Sequence, residues 1–340
     1  MSFLSDTGAP AHPAVIDALS QANDGIASSY GADDETLRLT ALLKDLFETD
    51  ELAIWPCVSG TAANALVLST LVAADEAILC HREAHIERDE RGAPEFFTGG
   101  AKLQLLDGAA GKIDLAALSA ALSAIDRDFV HETPAACLSL TNLTECGTAY
   151  SPADISARTG PAKAAGLTCH LDGARLANAL AHLKCSPADL TWRAGMDAVS
   201  FGLTKTGAMG CDIAILFGEA TERAGMMRAR AKRAGHMPPK MRYISAQGVA
   251  LLEGGLWLAL ARHANDMASA LFETLVAHAG AQAGYPTHGN EVFVTLPEDA
   301  ADRLRAAGIG FYPWPGGLYR FVANWTTGRN DIDAIARAFA

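Results

Sequence analysis

Short apolar runs alternate with stretches of helical spacing between residues 35 and 217, and no other feature limits the fold of this chain as much. The runs 52–57, 77–80, 103–106, 136–140, 167–171, 198–201 and 212–217 read as strands. Between them, 35–47 carries leucines at helical spacing (Leu37, Leu39, Leu42, Leu43, Leu46). The stretches 61–71, 114–125 and 151–165 also read as helices, the last opened by Ser151 and Pro152 and closed by Gly166. Strands separated by helices need crossover connections, so the expectation is a mostly parallel sheet with helices on both faces.

Past about Tyr243 the pattern changes. An Ala/Leu-rich helical stretch runs to about Val276, and short strands at 292–296, 310–312 and 318–322 follow, with helices at 299–306 and 331–339. This predicts an α/β chain in two parts: a large domain at 1–245 that includes an N-terminal arm, then a connecting helix and a small α+β domain at 246–340.

Composition narrows the partners. Half the residues are hydrophobic and 19% charged, as in an ordinary globular protein, and the net charge of −12 disfavours nucleic acid or an anionic membrane surface as partner. Seven cysteines stand singly with no C-x-x-C pair, which argues against a disulfide framework or a zinc ribbon. The expectation is free thiols in a reducing cytoplasm, with no secretory leader and no apolar run long enough to span a bilayer.

Three segments carry chemistry. In Thr168-Cys-His-Leu-Asp172-Gly-Ala-Arg175 an apolar strand ends on an aspartate. Ligands bind at the carboxyl ends of strands in open α/β sheets, which places Asp172 at a crevice; the plain alternative is a helix N-cap. In Ser200-Phe-Gly-Leu-Thr204-Lys205-Thr-Gly a second strand ends in hydroxyls, a lysine and glycine. A lone lysine is usually a solvated charge, but burial at a strand's end lowers its pKa and frees the amine for a Schiff base. In Cys57-Val-Ser59-Gly60-Thr61-Ala-Ala-Asn64 a small-residue turn joins a strand to a helix, where free amides and hydroxyls make a phosphate cradle. The turn alone says little, and it is neither a P-loop nor G-x-G-x-x-G. Together, a cradle, an Asp to keep a pyridine nitrogen protonated and a Lys to hold an aldehyde are what pyridoxal 5'-phosphate requires.

The run from Ser59 to Asn64, His85, Asp172-Gly-Ala-Arg175 and Thr204-Lys205 resemble the L-threonine aldolases, which have the aspartate-aminotransferase-like fold (fold type I). The resemblance extends from Ser5-Asp6-Thr7 and Tyr30-Gly31 to Arg320. It is strongest to the bacterial low-specificity branch, phenylserine aldolases included, through Glu90-Arg-Gly-Ala-Pro-Glu-Phe-Phe97 and Ala188-Asp-Leu-Thr-Trp192-Arg-Ala-Gly195. It implies reversible cleavage of L-threonine, L-allo-threonine and related L-β-hydroxy-α-amino acids to glycine and an aldehyde.

The resemblance also implies roles. Ser59, Gly60, Thr61, Asp172, Arg175, Thr204 and Lys205 hold the cofactor. His85 stacks on its ring and removes the β-hydroxyl proton, directly or through water, and Glu90 orients or hydrates the site. Arg175 and Arg320 clamp the substrate carboxylate, helped by Ser5 and Tyr30. Lys232 and Arg242 approach the cofactor phosphate across a subunit interface, in a homodimer or a dimer of dimers. Read by themselves, Arg320 is equally an exposed strand charge, and the basic cluster 228–242 a solvated helix face.

No metal is expected, since His81-Arg-Glu-Ala-His85 is not H-E-x-x-H and shows no third ligand. One departure is plain. Many threonine aldolases carry a histidine where this chain has Asn142-Leu-Thr144-Glu145-Cys-Gly147, so Thr144, Glu145 or a water takes that contact. Two other readings stay open: a β-eliminating lyase, which releases ammonia and a keto acid, and a catalytically silent pyridoxal-phosphate-binding protein.

Overall fold

The computed structural model describes residues 1–339. Its larger sheet is built from β1 (Leu52–Cys57), β2 (Ala77–His81), β3 (Lys102–Leu106), β4 (Ala135–Thr141), β5 (Thr168–Gly173), β6 (Ala198–Gly202) and β7 (Asp212–Phe217). The spatial order is β1-β7-β6-β5-β4-β2-β3, parallel throughout except for β7, which runs antiparallel to both neighbours. Strands β2, β6 and β7 are buried along their whole length. A sheet covered on both faces demands such continuous apolar runs instead of alternation.

Against this sheet lies the helix Gly60–Leu71, buried on every side from Ala62 onward. Its small residues Ala62, Ala63 and Ala65 let it sit that deep. Backbone contact also draws the ends of β5 and β6 together. A Cβ on Gly202 would stand 2.7 Å from the backbone of Ala174, so only glycine fits there.

The smaller sheet has the order β10-β11-β9-β8 and is antiparallel, with β8 (Gln282–Ala283), β9 (Glu291–Thr295), β10 (Tyr312–Trp314) and β11 (Leu318–Val322). It forms a second hydrophobic cluster with the helices Glu298–Ala306 and Arg329–Arg337 and the later part of Leu256–Ala279. Phe3 joins this cluster. Its N–H donates to Gly310 O and its carbonyl accepts from Val322 N, both at 2.8 Å, which pins the N-terminal arm to the small sheet. The larger cluster in turn reaches Trp257 and Ala261, so the two cores meet within the long helix.

Four expectations change. The connecting helix is two helices, Arg242–Leu252 and Leu256–Ala279, broken where Gly254 and Gly255 adopt φ of 65° and 72°. Left-handed backbone of this kind ends a helix, and glycine adopts it without steric cost. The strand expected at 310–312 lies at Tyr312–Trp314, because Gly310 is occupied by a bridge to Ser2. An additional helix, Pro13–Ala22, opens with His12 as N-cap and Pro13 in its first turn. The stretch Arg242–Ala279 does contain a window apolar and long enough to cross a bilayer, but 56% of that window is buried against protein.

Candidate active site

The carboxyl ends of β4, β5 and β6 lie side by side, with Thr141 opposite Asp172 and Asp172 opposite Ser200. Because β7 is antiparallel, its first residue, Asp212, falls at the same end, paired with both Cys57 and Gly202. A cavity of about 230 Å3 opens there. Ser59, Gly60, Thr61, His85, Glu90, Asp172, Arg175, Thr204 and Lys205 line it together, as do Asn64, Glu145 and Asp212.

The cradle is the start of the helix Gly60–Leu71. Ser59 caps it by accepting the Ala62 N–H at 3.2 Å. Gly60 and Thr61 are its first two residues, whose amides have no intrahelical acceptor and carry the positive end of the helix dipole. Beneath the cradle, the Asn64 amide nitrogen donates to Asp172 Oδ2 at 2.7 Å and to Glu90 Oε1 at 2.8 Å. Asp172 Oδ1 accepts the Ala174 N–H at 3.0 Å, which fixes the carboxylate at the strand end.

His85 Nδ1 lies 2.8 Å from Glu90 Oε1, and its backbone N–H donates to Glu145 Oε1 at 2.7 Å. Burial opposes a charged imidazole here, but the Glu90 hydrogen bond and the nearby Asp172 outweigh it and hold the pKa above its usual value. Burial pushes Glu145 up to about 7, against the hydrogen bonds it accepts from backbone N–H groups, and Asp172 adds to the rise. Asp212 organises the lysine turn. It accepts from the N–H of Leu203 and Thr204 at 3.0 and 3.2 Å, and from the Thr204 hydroxyl at 2.9 Å.

Ligand-type atoms of His85, Glu90 and Asp172 lie within 4.8 Å of one another, a grouping the sequence spacing did not reveal. The Asn64 amide donates to both carboxylates, so hydrogen bonding accounts for their proximity. The buried oxygens Asn64 Oδ1, Glu90 Oε2 and Glu145 Oε2 have no partner. Such groups are costly to leave unpaired, and their gathering around one cavity fits a polar ligand.

Other expected residues stand elsewhere. Thr144 does not reach the cavity: it is fully buried, and its hydroxyl donates to Ala110 O at 3.0 Å and lies 2.9 Å from Thr148 Oγ1. Ser5 caps the short helical turn after it, accepting the Thr7 N–H at 3.2 Å. Tyr30, Lys232 and Arg242 lie outside the cavity, with the Lys232 ammonium 4.8 Å over the Tyr30 ring. Arg320 is not a cavity residue either. It packs against Tyr312 and Trp314 and sits 3.7 Å from Glu291, whose other oxygen is 3.5 Å from Arg175. Asn64, Asp6, Asp212 and Glu291 were not assigned from the sequence. Asn64 and Asp6 stood within quoted motifs, but which side chains they would join depends on the fold. A larger apolar groove of about 650 Å3, lined by Phe96, Phe97, Met226 and Arg230 among others, shares no residue with this cavity.

Sheet order and fold likeness place the chain among pyridoxal-phosphate enzymes of the aspartate-aminotransferase-like class, and Lys205, Asp172 and the Ser59–Thr61 turn line one cavity. Residues 2–298 match the family model described as Beta-eliminating lyase. The chain is 39% identical over 336 residues to a low specificity L-threonine aldolase of Pseudomonas aeruginosa, which covers 98% of this chain and 96% of that one. A threonine aldolase structure from Leishmania major superposes with a TM-score of 0.91 at 26% identity, covering 100% of this chain and 99% of the other. A serine palmitoyltransferase of Sphingomonas wittichii (TM-score 0.74, 17% identity, 100% and 86% covered) shares the fold. The chain belongs to the beta-eliminating lyase family and, within it, to the threonine aldolases.

Proposed function

We propose that this lyase cleaves L-threonine, L-allo-threonine and related L-β-hydroxy-α-amino acids such as phenylserine, reversibly, to glycine and an aldehyde. The observation that carries the reading is the convergence of Lys205, Asp172, His85 and Arg175 on one cavity beside a phosphate cradle. Pyridoxal phosphate, when bound, supplies an aldehyde for the amino group and an electron sink for the bond that breaks.

The chain's own residues supply the rest. Lys205 would hold the cofactor, and Asp172 would pair with its pyridine nitrogen. The first amides of the helix Gly60–Leu71, with the Ser59 and Thr61 hydroxyls, would take the phosphate. His85, positioned by Glu90, would pack on the ring. Arg175 binds the substrate carboxylate through Nη1, and Arg320 offsets the charge of the Glu291 they share. Tyr30, Lys232 and Arg242 serve the cavity of a neighbouring subunit, in a homodimer or a homotetramer built from two dimers. A cytoplasmic setting is supported by seven free thiols, six of them buried.

The test is product analysis with threonine, allo-threonine and phenylserine. Glycine and the matching aldehyde are expected from all three. Ammonia and a keto acid in their place would assign the chain to β-elimination.

A further inference from the structure

We propose that the Glu145 carboxylate, and not His85 or Thr144, exchanges the proton with the substrate's β-oxygen; this rests on the aldolase reading above.

Glu145 stands in the turn that follows β4 and lines the same cavity as Lys205 and Asp172. Its two oxygens are used differently. Oε1 accepts the His85 N–H at 2.7 Å, which anchors the side chain, while Oε2 is shielded from solvent without a well-formed hydrogen bond, the Thr141 hydroxyl being the carboxylate's neighbour. An anchored carboxylate with one vacant oxygen is the disposition of a general base, with geometry set by the fold before substrate arrives.

The other candidates are engaged. His85 Nδ1 is tied to Glu90 Oε1, and Glu90 and Asp172 raise its pKa against the effect of burial. The Thr144 hydroxyl is spent on Ala110 O outside the cavity. Arg175 is bound by Asp6.

The surroundings of Glu145 set how it titrates. Asp172 on β5 is close enough to raise its pKa, and His85, Glu90, Lys205 and Arg175 line the same cavity. Cys80 on β2, Cys146 and Tyr150 approach it from outside. Burial is the largest influence and brings its midpoint to about 7. Near neutrality the group is therefore present in both forms, as a reversible reaction needs.

In the cleavage direction the β-oxygen's hydrogen passes to Glu145 Oε2. The O–H electron pair becomes the second C–O bond of the departing aldehyde. The Cα–Cβ pair stays with the glycine fragment, whose Cα takes a proton from solvent, and Glu145 releases its own proton to solvent before the next turnover. In synthesis the protonated Glu145 returns its hydrogen to the new β-oxygen.

The test uses the holoenzyme and the substitution Glu145→Gln, which keeps an oxygen for the His85 N–H. Two reactions are compared: glycine release from a β-hydroxy amino acid, and exchange of the glycine Cα hydrogen with deuterated water, which involves no β-oxygen. The expected result is a loss of roughly 10²–10⁴-fold in cleavage kcat with KM little changed and glycine exchange retained. An infrared carboxylic-acid band that titrates near pH 7 in the wild-type holoenzyme is expected to vanish in the variant. Glu145→Asp, which keeps a carboxylate, is expected to cleave at a rate between the two. Wild-type cleavage in E145Q, equal loss of cleavage and exchange, or E145D no better than E145Q would each overturn the assignment. Failure of the wild type to release glycine would instead overturn the aldolase reading itself.

Discussion

Arg175 and Asp6 are joined by two parallel hydrogen bonds, Nε to Oδ2 at 2.8 Å and Nη2 to Oδ1 at 3.1 Å. Both side chains are nearly removed from solvent, and Asn290 donates a third bond to the same carboxylate at 2.9 Å. The N-terminal arm thus holds the arginine of the Asp172–Arg175 motif in a fixed orientation. Its remaining nitrogen, Nη1, lies 3.5 Å from Glu291 Oε2.

Breaking a buried pair by neutralising one member typically costs about 3–5 kcal/mol. Asp6→Asn is expected to destabilise the fold on that scale and to raise KM for the amino acid more than it lowers kcat. Burial raises the Asp6 pKa, but Arg175 and Lys205 outweigh it and hold the group below its usual value. The stabilisation is therefore full above about pH 4 and lost as pH falls through the lowered folded value. Thermal melts between neutral pH and acid check this: the wild type should lose stability in acid more steeply than the variant.

Asn64 makes a different demand. Its single amide nitrogen separates the buried carboxylates of Glu90 and Asp172. Replacing it with Ala leaves both without that donor, at a cost of about 1–3 kcal/mol for each unsatisfied group. Asn64→Ala is expected to weaken cofactor retention, read by titrating the apoenzyme with pyridoxal phosphate and following the visible absorbance. Retention equal to wild type would show that the amide bridge does not shape the site.

His170 sits under the same sheet end, fully buried, with Ser139 Oγ at 2.9 Å from one ring nitrogen and Ser200 Oγ at 3.0 Å from the other. Burial lowers its pKa to about 4. Between about pH 6.5, the unfolded value, and about 4, the unfolded chain binds a proton that the folded chain does not. Stability is thus complete above the upper limit and falls by about 3 kcal/mol as pH drops through this window. His170→Gln is expected to flatten that slope, measured by urea unfolding at a series of pH values.

Much of this site was readable because its key residues sit at strand ends in short local motifs. Asp172, Lys205 and the Ser59–Thr61 turn each announce a local geometry, and a parallel sheet brings such ends together. What could not be read was pairing across the chain. Asp6 meets Arg175 across 169 positions, and Asn64 meets Asp172 across 108. Thr144 and Glu145 are neighbours in sequence, yet one turns into a backbone knot with Ala110 while the other faces the cavity. The helix break at Gly254-Gly255 was hidden for another reason, since the Ala/Leu pattern continues on both sides of it.

The basic residues outside the cavity give the sharpest test of shared sites. Lys232 lies over Tyr30, and Arg242 donates to Gly25 O at 3.2 Å and to the Tyr243 hydroxyl at 3.3 Å. None of them lines the cavity that contains Lys205. If their charge serves a neighbour's phosphate, two defective chains complement each other. Lys205→Ala alone is expected to abolish multiple turnover, and Arg242→Ala alone to weaken cofactor binding and cleavage. In a mixed dimer, one cavity combines the intact Lys205 of one chain with the intact Arg242 of the other, while the second cavity carries both defects. Random reassembly of equal amounts is then expected to restore about a quarter of wild-type cleavage, since about half the dimers are mixed and each has one whole site. Activity no higher than the average of the two parents would place Arg242 at the cavity of its own chain or at none.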